Sequence, residues 1–138
     1  MTTLTRMEPE AAQHAGPAPV AAATPPISFV SVVLPCFNEA AAVAATVAEA
    51  RRGLEEAGYE GEVIVVDNGS TDGSPGLALR AGARVVREPT PGYGAALAAG
   101  FVAAAGDTIV MADADPTYDL EQLGGLIAPL ASGADLVL

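Results

Sequence analysis

A chain of 138 residues, 51% of them hydrophobic, is long enough for one domain with a core. Its formal net charge of −11, with no lysine, provides no basic face, so binding to nucleic acid is excluded and adsorption to an anionic membrane surface is disfavoured. The single cysteine, Cys36, rules out an internal disulfide. A buried, unreactive Cys36 is expected, because the only histidine, His14, lies in a segment whose composition predicts disorder.

Residues 1–26 are rich in Ala, Pro, Thr and Glu and show no periodicity. We predict a mobile tail there and an ordered domain over residues 27–138. The N-terminus lacks the basic end and compact apolar segment of a signal peptide, and no apolar stretch is long enough to cross a bilayer. A cytoplasmic protein is therefore expected.

The first predicted strand covers residues 29–34 and ends at Pro35. A helix follows, for which Asn38 is a suitable cap and Glu39 a suitable charge at the positive N-terminal end. Apolar residues recur in this helix at spacings of four, three and four, which predicts one buried face made of Val43, Val47, Ala50 and Leu54.

Strands and helices alternate through the rest of the chain. The patterns predict strands over residues 62–66, 83–87, 108–112 and 134–138, and helices over 74–81, 92–105 (with Leu97, Phe101 and Ala104 on one face) and 120–130. Such alternation predicts an α/β fold, a Rossmann-like parallel sheet with right-handed crossovers and helices on both faces. A final strand without a following element leaves an apolar edge, so we expect the N-terminal part of a longer domain, truncated after its fifth strand.

An acidic pair follows the strand predicted over residues 108–112, at the edge where open α/β sheets bind ligands. In an extended segment, the side chains of Asp113 and Asp115 point the same way. Two such carboxylates suit Mg²⁺ or Mn²⁺, which would neutralise an anionic nucleotide diphosphate in a segment without Lys or Arg. The alternative is an acidic surface turn, because an isolated Asp-x-Asp is common.

A second motif, Asp67-Asn-Gly-Ser-Thr-Asp72, follows the strand over residues 62–66. Asn68-Gly69 tolerates positive φ, and residues 70–72 supply caps for the next helix. Asp67 is then left to accept hydrogen bonds from a base or a ribose. A plain strand–turn–helix connection is the alternative.

Two glycines, Gly92 and Gly94, open the helix over residues 92–105. They allow the backbone to approach a ligand closely, and a helix N-terminus favours anions. The motif is not a dinucleotide fingerprint, because the third glycine is missing and the motif follows the third strand. The alternative for these glycines is a tight loop with close helix packing. For Asn38 and Glu39, too, two interpretations stay open: the two residues either contact a nucleoside or only support a helix.

Together, these motifs resemble those of family 2 glycosyltransferases with the GT-A fold. The resemblance covers residues 29–138 and is carried, in the family's order, by Val32-Val-Leu-Pro-Cys-Phe-Asn-Glu39, Val65-Val-Asp-Asn-Gly-Ser-Thr-Asp72, Gly92-Tyr-Gly-Ala-Ala96 and Met111-Ala-Asp-Ala-Asp115. Gly-Tyr-Gly, together with the pattern from Asp113 to Asp119, is most similar to the dolichyl- or polyprenyl-phosphate sugar synthases.

The resemblance implies a nucleotide-sugar donor of the GDP-mannose or UDP-glucose type, a lipid phosphate acceptor at the cytoplasmic face of the membrane, and transfer that inverts the anomeric centre. Asp113 and Asp115 would be the catalytic pair, holding ribose, diphosphate and Mg²⁺ or Mn²⁺. The implied nucleoside-binding residues are Pro35, Asn38, Glu39 and Asp67, and Gly92 and Gly94 would line the donor pocket.

Two features depart from the family. Thr90-Pro91 stands where members often carry Lys or Arg, which removes a cation near the donor phosphates. The acceptor half has no counterpart, so a membrane-associated partner or a C-terminal region would supply it. The alternatives are a catalytically incomplete nucleotide-sugar-binding module and a nucleotidyltransferase. A nucleotidyltransferase is disfavoured because residues 35–39 lack a basic Gly-rich loop.

Overall fold

The computed structural model describes residues 26–138, so the predicted tail lies outside the described residues except for Pro26. The strands are β1 (Val30–Cys36), β2 (Gly61–Asp67), β3 (Arg84–Arg87) and β4 (Thr108–Met111), and the helices are α1 (Val43–Ala57), α2 (Ser74–Ala81), α3 (Tyr93–Ala103) and α4 (Leu123–Ala131). A short 3-10 helix, Leu120–Gln122, leads into α4. None of the helices in residues 26–138 is long and apolar enough to cross a bilayer.

The four strands form a parallel sheet in the order β3-β2-β1-β4. In this register, Cys36 at the end of β1 pairs with Asp67 at the end of β2, and Met111 at the end of β4 pairs with Val33. Because parallel strands end at the same edge, the segments that follow them meet along one rim. The predicted parallel α/β fold is confirmed.

Helices cover both faces of the sheet, as predicted. On one face, α1, α2 and α4 pack against a core that includes Val32 and Leu34, and the predicted stripe of α1 is buried there. On the other face, α3 packs against Val33, Ile64 and Val66. Coverage from both sides explains why every residue of β1 is buried.

Small residues let α3 lie close to the sheet. A Cβ added at Gly100 would lie 2.3 Å from Val33 Cγ1, well inside van der Waals contact. The sequence pattern predicts one face made of Leu97, Phe101 and Ala104, and Leu97 and Ala104 do pack against this core. Phe101, in contrast, is 42% exposed, whereas Ala96 and Gly100 are buried. The prediction was wrong for Phe101 alone, because the closest helix–sheet contact needs small side chains.

Pro35 does not end β1, contrary to the prediction, because the strand continues to Cys36. Val33 O accepts a hydrogen bond from Ala112 N at 3.2 Å, so the odd-numbered residues of β1 turn their backbone polar groups towards β4. At Pro35, β4 has already ended. The missing N–H of proline therefore removes no bond from the ladder at this position.

Residues 134–138 form no strand, so the prediction of a fifth strand was wrong. The backbone N–H of Ala134 donates to Pro129 O at 3.0 Å, which binds the segment to the end of α4. Its side chains are largely exposed, with Leu136 at 73%. An apolar run forms a strand only beside a partner, and no strand of the described sheet runs alongside this one.

Candidate functional site

An open cleft of about 390 Å³ lies at the carboxyl ends of the strands. It is lined by the segment after β1, by Asn68 after β2, by the first turn of α3 and by the segment after β4. Of the predicted site residues, those that line it are Pro35, Glu39, Gly92, Asp113 and Asp115. A larger cleft of about 760 Å³ lies at the opposite end of the sheet and contains none of them. The carboxyl-end cleft is the candidate site, because ligands bind there in open α/β sheets.

The acidic pair after β4 is held at its centre. Ala114 is buried in the core, and its carbonyl accepts a hydrogen bond from Thr46 Oγ1 at 3.4 Å. Asp113 and Asp115, on either side of Ala114, are partly exposed and line the cleft. The two carboxylates therefore reach the same cavity, as the two-residue spacing predicts.

Each of these carboxylates is held at one oxygen. Asp113 Oδ1 accepts a hydrogen bond from the Tyr93 hydroxyl at 3.0 Å, and Asp115 Oδ1 accepts bonds from the Thr117 hydroxyl and from Thr117 N, the latter at 2.9 Å. The bonds from Thr117 lower the pKa of Asp115 and keep its carboxyl ionised. Burial and the bond to Asp113 raise the pKa of the Tyr93 phenol, which stays a neutral donor.

This donor set fits a hard divalent cation. Oδ2 of Asp113 and Oδ2 of Asp115 accept no hydrogen bond from residues 26–138, so one oxygen of each carboxylate remains for a metal. Within the same residues, no group of three or more Asp, Glu, His and Cys side chains forms a complete cage. Mg²⁺ commonly binds through one or two carboxylates together with substrate phosphates and water, so a pair of aspartates suffices.

Asp67 lies behind the cleft and does not line it. It is 1% exposed, and its Oδ1 accepts a hydrogen bond from Ser70 N at 3.0 Å. Its Oδ2 lies 3.9 Å from Arg87 Nε, a loose ion pair in which the Arg87 side chain is 80% exposed. Oδ2 therefore keeps most of its capacity to accept another hydrogen bond.

Asn68 lines the cleft, although its sequence motif indicates only a turn residue. Its Nδ2 donates to Glu88 O at 2.9 Å and to Thr90 O at 2.8 Å, and its Oδ1 accepts from Gly92 N at 2.9 Å. These bonds connect the end of β2 to the loop before α3. A polar residue directly after a strand-end aspartate was the available indication of this role.

Asn38 does not cap α1, which begins at Val43 without a side-chain cap. Its φ is 55°, and its Oδ1 accepts a hydrogen bond from Thr71 N at 2.8 Å. Its own N–H donates to Ser70 Oγ at 2.9 Å. Asn38 therefore connects the loop after β1 to the loop after β2, and it lies outside the lining of the cleft.

The same two loops are joined by further bonds. Glu39 N donates to Ser74 Oγ at 2.9 Å, and Ala40 N donates to Asp72 Oδ2 at 2.9 Å. The bond from the Ser74 hydroxyl and the bond from Ala40 lower the pKa of Asp72. Cys36, beneath these loops, is 2% exposed, and burial raises the pKa of its thiol, in agreement with the expected unreactive role.

The two predicted glycines differ in position. Gly92 has a φ of 124°, which residues with a Cβ rarely adopt, and it lines the cleft just before α3. Gly94 is exposed within α3 and lies outside the lining, and a Cβ there would meet nothing within 4 Å. The positive φ requires glycine at position 92 only.

The protein-family model for glycosyl transferase family 2 matches residues 31–138. This chain therefore belongs to glycosyltransferase family 2. The predicted family and its GT-A fold are thus confirmed. A glycosyltransferase of Mycobacterium tuberculosis (strain H37Rv), whose own function is uncharacterised, is 46% identical over 108 residues, which are 78% of this chain and 46% of the relative.

Two further proteins are similar to the chain. An undecaprenyl-phosphate 4-deoxy-4-formamido-L-arabinose transferase of Pseudomonas syringae pv. syringae is 31% identical over 119 residues, covering 81% of this chain and 35% of the relative. The solved structure of glucosyl-3-phosphoglycerate synthase from M. tuberculosis with Mn²⁺, UDP and phosphoglyceric acid superimposes with a TM-score of 0.67 at 34% identity, covering 79% and 41% of the two chains. This chain therefore spans less than half the length of each relative.

Proposed function

We propose that this chain is the donor-binding part of a glycosyltransferase that uses a nucleotide sugar of the GDP-mannose or UDP-glucose type. The observation that carries the proposal is the pair Asp113 and Asp115, whose carboxylates reach one cleft and keep one oxygen each for a metal. Among the described residues, no Lys or Arg lines this cleft. An anionic diphosphate would therefore need a divalent cation in order to bind beside two carboxylates.

In this proposal, Asp113 and Asp115 hold Mg²⁺ or Mn²⁺, which supplies charge neutralisation for the departing nucleoside diphosphate. An acceptor oxygen forms a bond to the anomeric carbon from the opposite side while the bond to the diphosphate breaks and its electron pair leaves with the diphosphate. The configuration is thereby inverted. The related synthase whose structure contains Mn²⁺ and UDP supports a metal-dependent donor site.

The nucleoside end of the donor is assigned to the segment after β1 and to the end of β2. Pro35 and Glu39 line the cleft, and Asp67, which lies behind the lining, offers Oδ2 as an acceptor only to a base whose N–H groups reach past Pro35 and Glu39 to the end of β2. Gly92 brings the backbone close to the same cavity. Asn38 and Gly94, which lie outside the lining, act in this proposal through the loops that they belong to.

The proposed acceptor is a polyprenyl phosphate, met at the cytoplasmic face of a membrane. The relative named as an undecaprenyl-phosphate sugar transferase supports this choice. A second candidate is a module that binds the donor without transferring the sugar. It is favoured by the coverage of relatives, since this chain spans 35% to 46% of the two curated relatives described above.

Calorimetry with GDP-mannose and with UDP-glucose, each with and without Mn²⁺, tests donor binding, and a transfer assay to polyprenyl phosphate then separates the two candidates. We expect Mn²⁺-dependent binding that is lost in Asp115→Ala and kept in Asp135→Ala. Asp135→Ala is a matched control because the substitution removes the same charge from an exposed position outside the cleft. If neither donor binds to the wild-type chain, both candidates are refuted.

A further inference from the structure

Tyr93 has no assigned role in the proposed function, yet its side chain contacts the acidic pair. It is the first residue of α3, and its hydroxyl donates to Asp113 Oδ1 at 3.0 Å. The bond joins the loop after β3 to the segment after β4. The Tyr93 side chain is 53% exposed and lines the cleft, so this bond forms at the surface of the cavity and not in the core.

The two aspartates show the same arrangement. Each accepts a bond from a neutral hydroxyl at Oδ1, from Tyr93 in one case and Thr117 in the other, and each has an Oδ2 that accepts no hydrogen bond from residues 26–138. A carboxylate held at one oxygen cannot rotate freely. Its second oxygen is then available in one orientation, which reduces the entropy that a metal ligand loses on binding.

From this arrangement we propose that Tyr93 is a positioning residue for the divalent cation, acting through Asp113. The proposal rests on the proposed function, which makes Asp113 a metal ligand. A neutral phenol suits this task because it orients the carboxylate and leaves its negative charge for the cation. A lysine or arginine in the same place would form an ion pair that competes with the metal.

The test compares Tyr93→Phe with Tyr118→Phe. Both substitutions delete one hydroxyl from a tyrosine that is 53% exposed, and the Tyr118 hydroxyl makes no hydrogen bond within residues 26–138. Mn²⁺ affinity is measured by electron paramagnetic resonance with saturating UDP or GDP. Loss of a residue that orients a metal ligand lowers metal affinity about 10-fold or more, so we expect about a 10-fold weaker affinity in Tyr93→Phe and no change in Tyr118→Phe.

Thermal melting separates positioning from folding. Both variants should melt as the wild type does, because both hydroxyls lie at the surface. If Tyr93→Phe binds Mn²⁺ as the wild type does, or if both variants lose affinity equally, the positioning role is overturned. Asp115→Ala tests the underlying function separately. Undiminished Mn²⁺ binding in Asp115→Ala refutes the metal pair itself, whereas binding lost there and kept in Tyr93→Phe overturns only the role of Tyr93.

Discussion

Replacement of Asn68 by Ala tests how the rim of the sheet is held together. The substitution removes three hydrogen bonds, two donated by Nδ2 to the carbonyls of Glu88 and Thr90 and one accepted by Oδ1 from Gly92 N. A hydrogen bond contributes about 0.5–1.5 kcal/mol net, and these lie in a partly exposed loop, so we expect a loss of about 2 kcal/mol in the free energy of unfolding.

Urea unfolding measures this loss directly, and thermal melting measures it independently. For a domain of this size, a loss of about 2 kcal/mol corresponds to a drop of about 8 °C in Tm. The slope of the unfolding free energy with urea should not change, because the substitution leaves the buried area nearly constant. A change of less than about 0.5 kcal/mol, the range of ordinary surface substitutions, would refute the reasoning.

Asn68→Asp is the matched control for shape. It keeps the Oδ1 acceptor for Gly92 N and loses both donated bonds, and it sets a negative charge beside the carbonyl oxygens of Glu88 and Thr90. We therefore expect Asn68→Asp to be at least as destabilised as Asn68→Ala at pH 7. Wild-type stability in Asn68→Asp would mean that the donated bonds do not hold the loop.

Gly100→Ala should lower the free energy of unfolding, measured by urea unfolding, by about 1–3 kcal/mol, because its Cβ would lie 2.3 Å from Val33 Cγ1. Gly125→Ala is the control: its Cβ would meet nothing within 4 Å, so the substitution should be neutral or slightly stabilising. Asp115→Ala should abolish the metal dependence of donor binding in calorimetry and leave Tm nearly unchanged; a large drop in Tm would point to a structural carboxylate. The pKa of Asp72 is lowered in the folded state, so its contribution to stability is present above the unfolded pKa and is lost as pH falls through the folded value. Asp72→Asn should therefore show a smaller loss of Tm than the wild type between about pH 5 and pH 3.

The fold could be predicted from the sequence wherever burial alone decides the structure. The apolar stripe of α1 and the apolar run of β2 are buried as expected, because such residues are removed from water only when they face the core. Residues 134–138 have the composition of a strand, but pairing depends on a neighbour that no local pattern contains. Phe101 shows the same limit, since the close approach of α3 to the sheet is a property of two elements together.

The candidate site was predictable in its position and less so in its contacts. Asp113 and Asp115 line the cleft because their spacing and the end of β4 decide where they point. Asn38 has the residue type of a helix cap, yet its side chain bonds the next loop, since the helix begins five residues later. A residue type limits the bonds that a side chain makes, and only the packed loops determine which partner it meets.

Side-chain bonds link the four strand-end segments in series around the rim. Asn38 joins the loops after β1 and β2, Asn68 joins the loop after β2 to the one after β3, and Tyr93 joins that loop to Asp113 after β4. Through this series, the position of the loop that Asn68 holds determines the position of Tyr93, the first residue of α3. The position of Tyr93 in turn determines the orientation of the Asp113 carboxylate. Asn68→Ala should therefore weaken Mn²⁺ binding, as Tyr93→Phe does. The double variant, which carries both substitutions, should lose less binding free energy than the sum of the two single losses. Strict additivity would mean that the two bonds act on the metal pair independently.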